Sequence, residues 1–263
     1  MTFDWSFFWH NLVSPDGAFL DGLWMTITIS VVAMALGLVL GTVVALLHRS
    51  RFTAVRTFAK FYIWLIRGTP LIVQLVIIYL GFASAGIYKF QDTDALGIAV
   101  RGAVQAAIVG LTIHESAYIS EVIRAGIASV DRGQTEAAVA LGMRPAGTMR
   151  WVVLPQALRT MVPPLGNIFN GLMKHTSLLS IIGVSEMFLV AQSISSTTFK
   201  TFEIFLVAAL YYLLLTTVWT FVQAWIERRL NDQVGIIQPG GLKKLNRPAS
   251  AEPMTVLKGV NDA

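Results

Sequence analysis

The chain has 263 residues, of which 55 % are apolar and 13 % are Asp, Glu, Lys or Arg, about half the ~25 % charged share of a soluble domain. With a mean hydropathy of +0.64, this excludes an ordinary soluble fold and points to an all-α polytopic membrane protein. The absence of cysteine excludes disulfides and thiol chemistry, and the formal charge of +5 sits in loops rather than on a nucleic-acid-binding face.

A helix crossing a bilayer needs about 20 apolar residues, and about five such spans are expected. Residues 1–21 form an N-terminal segment whose Trp5, Phe7, Phe8 and Trp9, with Trp24, suit a membrane–water interface. Span one, 22–47, holds no charged residue. Its Ala33, Gly37, Gly41 and Ala45 make a small residue every fourth position, on which another helix can pack closely. Span two, 61–86, carries Arg67-Gly68-Thr69-Pro70-Leu71-Ile72-Val73-Gln74. Pro70 removes a helical donor and biases Thr69 away from the α region, so this helix should break or kink there. Arg67 reads as a snorkelling cation at the kink, and Gln74, one turn deeper, as a candidate for a translocation path.

Span three, 102–127, places His114, Tyr118, Glu121 and Ala125 on one helical face. An ionised group near mid-membrane costs roughly 2.5–3.5 kcal/mol on insertion scales, so it faces a bundle interior or a wet cavity. Two readings of Glu121 stand side by side: a pair with Arg124 one turn on, or a group on the substrate path. Glu115 lies on a different face and reads as a partner for a neighbouring helix. A polar loop follows at 128–158. Thr135 to Leu141 suits a short helix, Gly142 can supply the positive φ that ends it, and Pro145 discourages continuation. Span four, 165–191, bears a polar stripe of Asn167, Asn170, Lys174 and Ser177. Lys174 needs an anion, either Glu121 or the carboxylate of a bound amino acid. Span five is 205–226, and from residue 231 to 263 the composition shifts to Gly, Pro, Lys and Asn, as in a disordered tail.

Lys and Arg set the orientation. None precedes Arg49; they cluster between spans one and two, between three and four, and after span five. The N-terminus is therefore expected outside, with the 128–158 loop and the C-terminus in the cytoplasm. No phosphate-cradling G-x-x-x-x-G-K-[S/T] is present, nor H-E-x-x-H or G-x-S-x-G. No catalytic residue, metal site or cofactor is expected in this chain.

The loop spacing E-A-A-x3-G-x9-V-x-L-P resembles the EAA loop of ABC-type import permeases. The strings around Arg67, Tyr118 and Lys174 resemble the subgroup for polar amino acids, although many members have an acidic residue where this chain has His175. The resemblance covers residues 20 to 230. It implies the architecture of a type I importer permease that couples to ATPases through Glu136, Ala137, Ala138, Gly142, Leu154 and Pro155. It further implies two ABC ATPase subunits carrying ATP and Mg, a second permease subunit, a periplasmic or surface amino-acid-binding protein, and residence in a bacterial inner membrane. Gln74, Tyr118, Glu121, Lys174 and Ser177 are expected to converge on one polar cavity, where Lys174 and Glu121 would meet the two charges of an amino acid. The competing readings are a secondary carrier or channel and an intramembrane enzyme.

Overall fold

The computed structural model describes residues 3–95 and 98–232; all but the first two residues of the tail at 231–263 lie outside the described residues. In chain order the first helices are α1 (Trp5–Val13), α2 (Gly17–His48), α3 (Thr53–Arg67) and α4 (Leu71–Val76), which runs through a π turn into α5 (Phe82–Ser84). A hairpin of β1 (Thr93–Ala95) and β2 (Ile98–Val100), pairing Thr93 with Val100, precedes α6 (Gly102–Ala128). Then come α7 (Arg132–Ala140), α8 (Pro145–Thr148), α9 (Leu154–His175), α10 (Met187–Thr198) and α11 (Thr201–Asp232).

Two single helices, α2 and α11, are long and apolar enough to cross a membrane. The second and fourth apolar stretches meet the same test only as bent pairs, turning by 104° between α3 and α4 and by 52° before α10. α6 is long enough at 27 residues, about 40 Å at 1.5 Å per residue, but its polar side chains dilute its hydropathy. The stretch 165–191, expected as one span, is not one helix. After His175 the backbone tightens into a 3₁₀ run, Thr176–Ile182, and Gly183 takes φ +78°. That left-handed conformation ends a helix and is open to Gly without a Cβ penalty.

The buried core joins α2, α4, α6, α9 and the 3₁₀ run through Ile29, Leu75, Leu111, Leu172 and Leu179. Lipid is as apolar as these side chains, so close packing rather than water exclusion holds such helices together. The small-residue stripe of α2 serves that packing: Ala33, Gly37, Gly41 and Ala45 are all buried. A Cβ on Gly41 would lie 2.7 Å from Ile119 Cγ2 and 3.0 Å from the Ser116 carbonyl of α6.

The helix breaks are held by side chains. Glu186, fully buried, caps α10 by accepting from the amides of Phe188 (2.9 Å) and Leu189 (2.8 Å), and it also accepts from Tyr212 Oη (2.9 Å). Pro163 and Pro164 lie inside α9, so two consecutive amide donors are missing from its ladder. α11 braces that place: Trp219 Nε1 donates to the Gly166 carbonyl (2.9 Å) and Gln223 Nε2 to that of Pro163 (3.2 Å). At the opposite end of α11, α1 is tied down. The Asp4 amide donates to Glu203 (2.8 Å), Lys200 pairs with the Asp4 carboxylate (3.0 Å), and Tyr211 Oη donates to the Leu12 carbonyl (2.9 Å).

Candidate functional site: a cavity at the broken helix and an exposed loop helix

The break between α3 and α4 is where the sequence put it. Pro70 is extended (φ −63°, ψ 137°), and the carbonyls it leaves free are claimed by one side chain. Gln74 Nε2 donates to the carbonyls of Ile66 (2.8 Å) and Thr69 (3.1 Å) and to Thr69 Oγ1 (2.7 Å). The amide orientation is fixed by these acceptors, so Gln74 Oε1 faces His114 Nδ1 at 3.0 Å and the imidazole donates from Nδ1. His114 Nε2 is thereby left as the acceptor of the neutral ring.

Beside the break lies a cavity of about 670 Å³, formed by α3, the Gly68–Pro70 turn, α6 and α9. Its polar lining is Arg67, Thr69, His114, Glu115, Tyr118, Asn167 and His175. Arg67 lies over the Tyr118 ring, 5.3 Å from its centroid. Glu115 is almost wholly buried and its Oε1 is 3.0 Å from His175 Nδ1. A paired, hydrogen-bonded carboxylate of this kind is the form in which a charge persists away from water.

This arrangement corrects the expected constellation. Of the five residues expected on the path, Tyr118 lines this cavity. Gln74 is buried and spent on the break. Glu121 sits three residues beyond Tyr118 on α6, about 4.5 Å by the helical rise, lies outside the lining, and is held by Arg124 Nη2 at 2.8 Å. Lys174 and Ser177 line a separate cavity of about 560 Å³ with Phe188, Phe205 and Tyr212. The cause is the 100° step between consecutive helical residues. Lys174 and His175 diverge, and it is His175, in register with Asn167 and Gly171, that faces α6. Glu115 meets a neighbouring helix, as its face suggested, but sequence reasoning did not name His175 as its partner. The signal was present: His175 is an ionisable residue in an apolar segment.

The polar loop folds as α7, opened by Asp131, whose carboxylate accepts from the Gly133 amide at 2.7 Å. It closes as a Schellman turn: Met143 N–H donates to the Ala138 carbonyl (3.0 Å), Gly142 N–H to that of Val139 (2.9 Å), and Gly142 has φ +79°. Pro145 then serves as the first residue of α8. Glu136 and Ala137 are exposed, whereas Ala138 is buried inside the chain; of the two alanines only Ala137 offers outward surface. Leu141 is 83 % and Trp151 68 % exposed, with Leu154 and Pro155 exposed beyond them. Among the described residues, no group of three or more His, Asp or Glu side chains could hold a metal ion.

Comparison with known proteins gives this geometry its setting. Residues 37–232 match the family described as binding-protein-dependent transport system inner membrane component. The glutamine transport system permease protein GlnP of Escherichia coli is 36 % identical over 230 residues, covering 88 % of this chain and 99 % of that protein. The arginine transport system permease protein ArtQ of Bacillus subtilis is 36 % identical over 213 residues, 81 % of this chain and 92 % of its own length. A solved structure described as an amino acid ABC transporter with histidines superposes with a TM-score of 0.75 at 36 % identity, over 87 % of this chain and all of the other. The MetNI methionine ABC transporter shares the fold, with a TM-score of 0.63 at 20 % identity. The chain belongs to the family of inner membrane components of binding-protein-dependent transport systems, as a non-catalytic transmembrane subunit.

Proposed function

We propose that this chain forms the translocation path of an ATP-driven importer for a polar amino acid. It pairs with a second permease, the same or similar, on two ATPase subunits that carry ATP and Mg, and takes substrate from a periplasmic or surface binding protein. The N-terminus lies outside and the C-terminus in the cytoplasm, in keeping with the placement of Arg and Lys. The observation that carries the reading is the cavity at the broken helix. Arg67 of α3 and Glu115 of α6 both line it, matching the carboxylate and ammonium of an amino acid. Irregular backbone within a membrane is tolerated where it lines such a cavity.

Relatives named for glutamine and for arginine stand at the same 36 % identity, so identity favours an amino acid without choosing which. The coupling element is α7 with its turn, through Glu136, Ala137 and Gly142, followed by Leu154 and Pro155. The test is uptake by proteoliposomes holding the permease, ATPases and binding protein, with a panel of radiolabelled amino acids. ATP-dependent accumulation of at least one polar amino acid is expected. Uptake that needs no ATP, or none of any amino acid by an assembled complex, overturns the reading.

A further inference from the structure

The side chains around the cavity select by charge. We propose that the permease accepts amino acids with neutral polar side chains and rejects cationic ones, and that His175 is the residue that sets this. The inference rests on the reading of the cavity as the substrate site.

The cavity lining contains one carboxylate and one permanent cation, Glu115 and Arg67. Glu115 Oε1 is already taken by His175 Nδ1 at 3.0 Å. Among the described residues Glu115 Oε2 has no hydrogen-bond partner, and it is not one of the fully enclosed polar atoms left without one. One acceptor oxygen is therefore open, enough for a single ammonium. The next carboxylate along α6, Glu121, is occupied by two hydrogen bonds from Arg124, at 3.2 and 2.8 Å. Once the α-ammonium of a substrate sits on Glu115, a second positive group finds no free carboxylate in the lining.

Neutral polar side chains find partners. Arg67 makes no ion pair among the described residues and offers a fork of donors to the α-carboxylate. His114 Nε2, the free acceptor fixed by the Gln74 contact, suits the N–H of an amide. Asn167 offers both a donor and an acceptor. A site that leaves a buried charge unpaired rejects the substrate that carries it far more strongly than a site that merely fits poorly.

The experiment is equilibrium binding to the purified permease–ATPase complex in nanodiscs, without binding protein, using radiolabelled glutamine and arginine. Glutamine should bind at least tenfold more tightly than arginine in the wild type. His175→Asp adds a carboxylate beside Glu115 and should raise arginine affinity at least tenfold. His175→Asn, which retains a neutral donor for Glu115, should leave the wild-type order in place. Arginine binding as well as or better than glutamine in the wild type overturns the inference, as does a His175→Asp variant with an unchanged order. Both outcomes are distinct from failure of the underlying reading, which appears as the absence of ATP-driven uptake of any amino acid.

Discussion

Glu115 and Glu121 are two carboxylates on one helix with different surroundings, and the difference is measurable. Glu121 pairs with Arg124 on a partly exposed helical surface, where an ion pair is worth a few tenths of a kcal/mol to about 1 kcal/mol. Glu115 is buried and its partner comes from another helix. Glu115→Gln should therefore lower apparent affinity for the transported amino acid at least tenfold, whereas Glu121→Gln should change it less than about twofold; uptake kinetics with matched ATPase assembly check both. Glu186 has a third role. Its carboxylate caps α10 and meets Tyr212, so Glu186→Ala should destabilise the detergent-solubilised complex by about 2 kcal/mol, read as a lower midpoint of thermal unfolding. At this scale the sequence was legible where a residue acts within its own helix. The Thr69–Pro70 break and the shared face of His114 and Tyr118 follow from local rules. Gln74, Lys174 and His175 were not legible, because the rotation of α4 and α9 about their axes is set by packing against α6, which no spacing along one helix encodes.

The loop helix gives the most direct prediction among the elements. Nothing lies within 4 Å of a Cβ built on Gly142, yet its φ is +79°. A substitution there acts through backbone strain alone, about 1–2 kcal/mol for an L residue in the left-handed region. Gly142→Val should lower ATP-driven uptake several-fold while the protein still inserts and its ATPase partners remain competent. Wild-type uptake by an assembled Gly142→Val complex would remove the turn from the coupling path. The helix itself was readable from its Ala, Leu and Glu content and from Gly142; which of the two alanines faces outward was not. α1 supplies a pH-dependent case. The Phe7 amide, and after it Lys200, hold the Asp4 carboxyl below its ordinary value, so docking by Asp4 is fully present above the free-Asp pKa of about 3.9 and is lost as pH falls through the lowered one. The chain has no cysteine, so a spin label on a single introduced Cys in α1 can report this. The label should stay immobile from neutral pH to about pH 4 and gain mobility only below it.

For the whole molecule, the closeness of α2 and α6 sets what can be changed. Gly41→Leu would drive a branched side chain into Ile119 and the Ser116 backbone, where a single Cβ already comes within 3.0 Å. Overpacking of this kind costs about 1–3 kcal/mol, and the variant should lower the yield of folded complex on size-exclusion chromatography. The class and the family strings were plain in the sequence. The bends were only half visible, since Pro70 announces one while the 52° turn before α10 depends on Gly183 and on a carboxylate cap that joins α10 to α11. Adjacent prolines inside α9 have a mechanical meaning. A rod without two consecutive donors is compliant at one joint and stiff on either side of it. Leu154 lies nine residues, about 14 Å, before Pro163, and His175 lies eleven residues, about 16 Å, after Pro164, at 1.5 Å per residue. The two arms are nearly equal, so a displacement imposed at the loop end of α9 would be taken up as a bend at the prolines while the His175 arm stays seated against α6. The bond from Gln223 to the Pro163 carbonyl ties α11 to that joint. Paired spin labels on the two arms should show the bend angle of α9 changing between nucleotide-free and ATP-bound complexes, and an unchanged angle would make α9 a rigid strut.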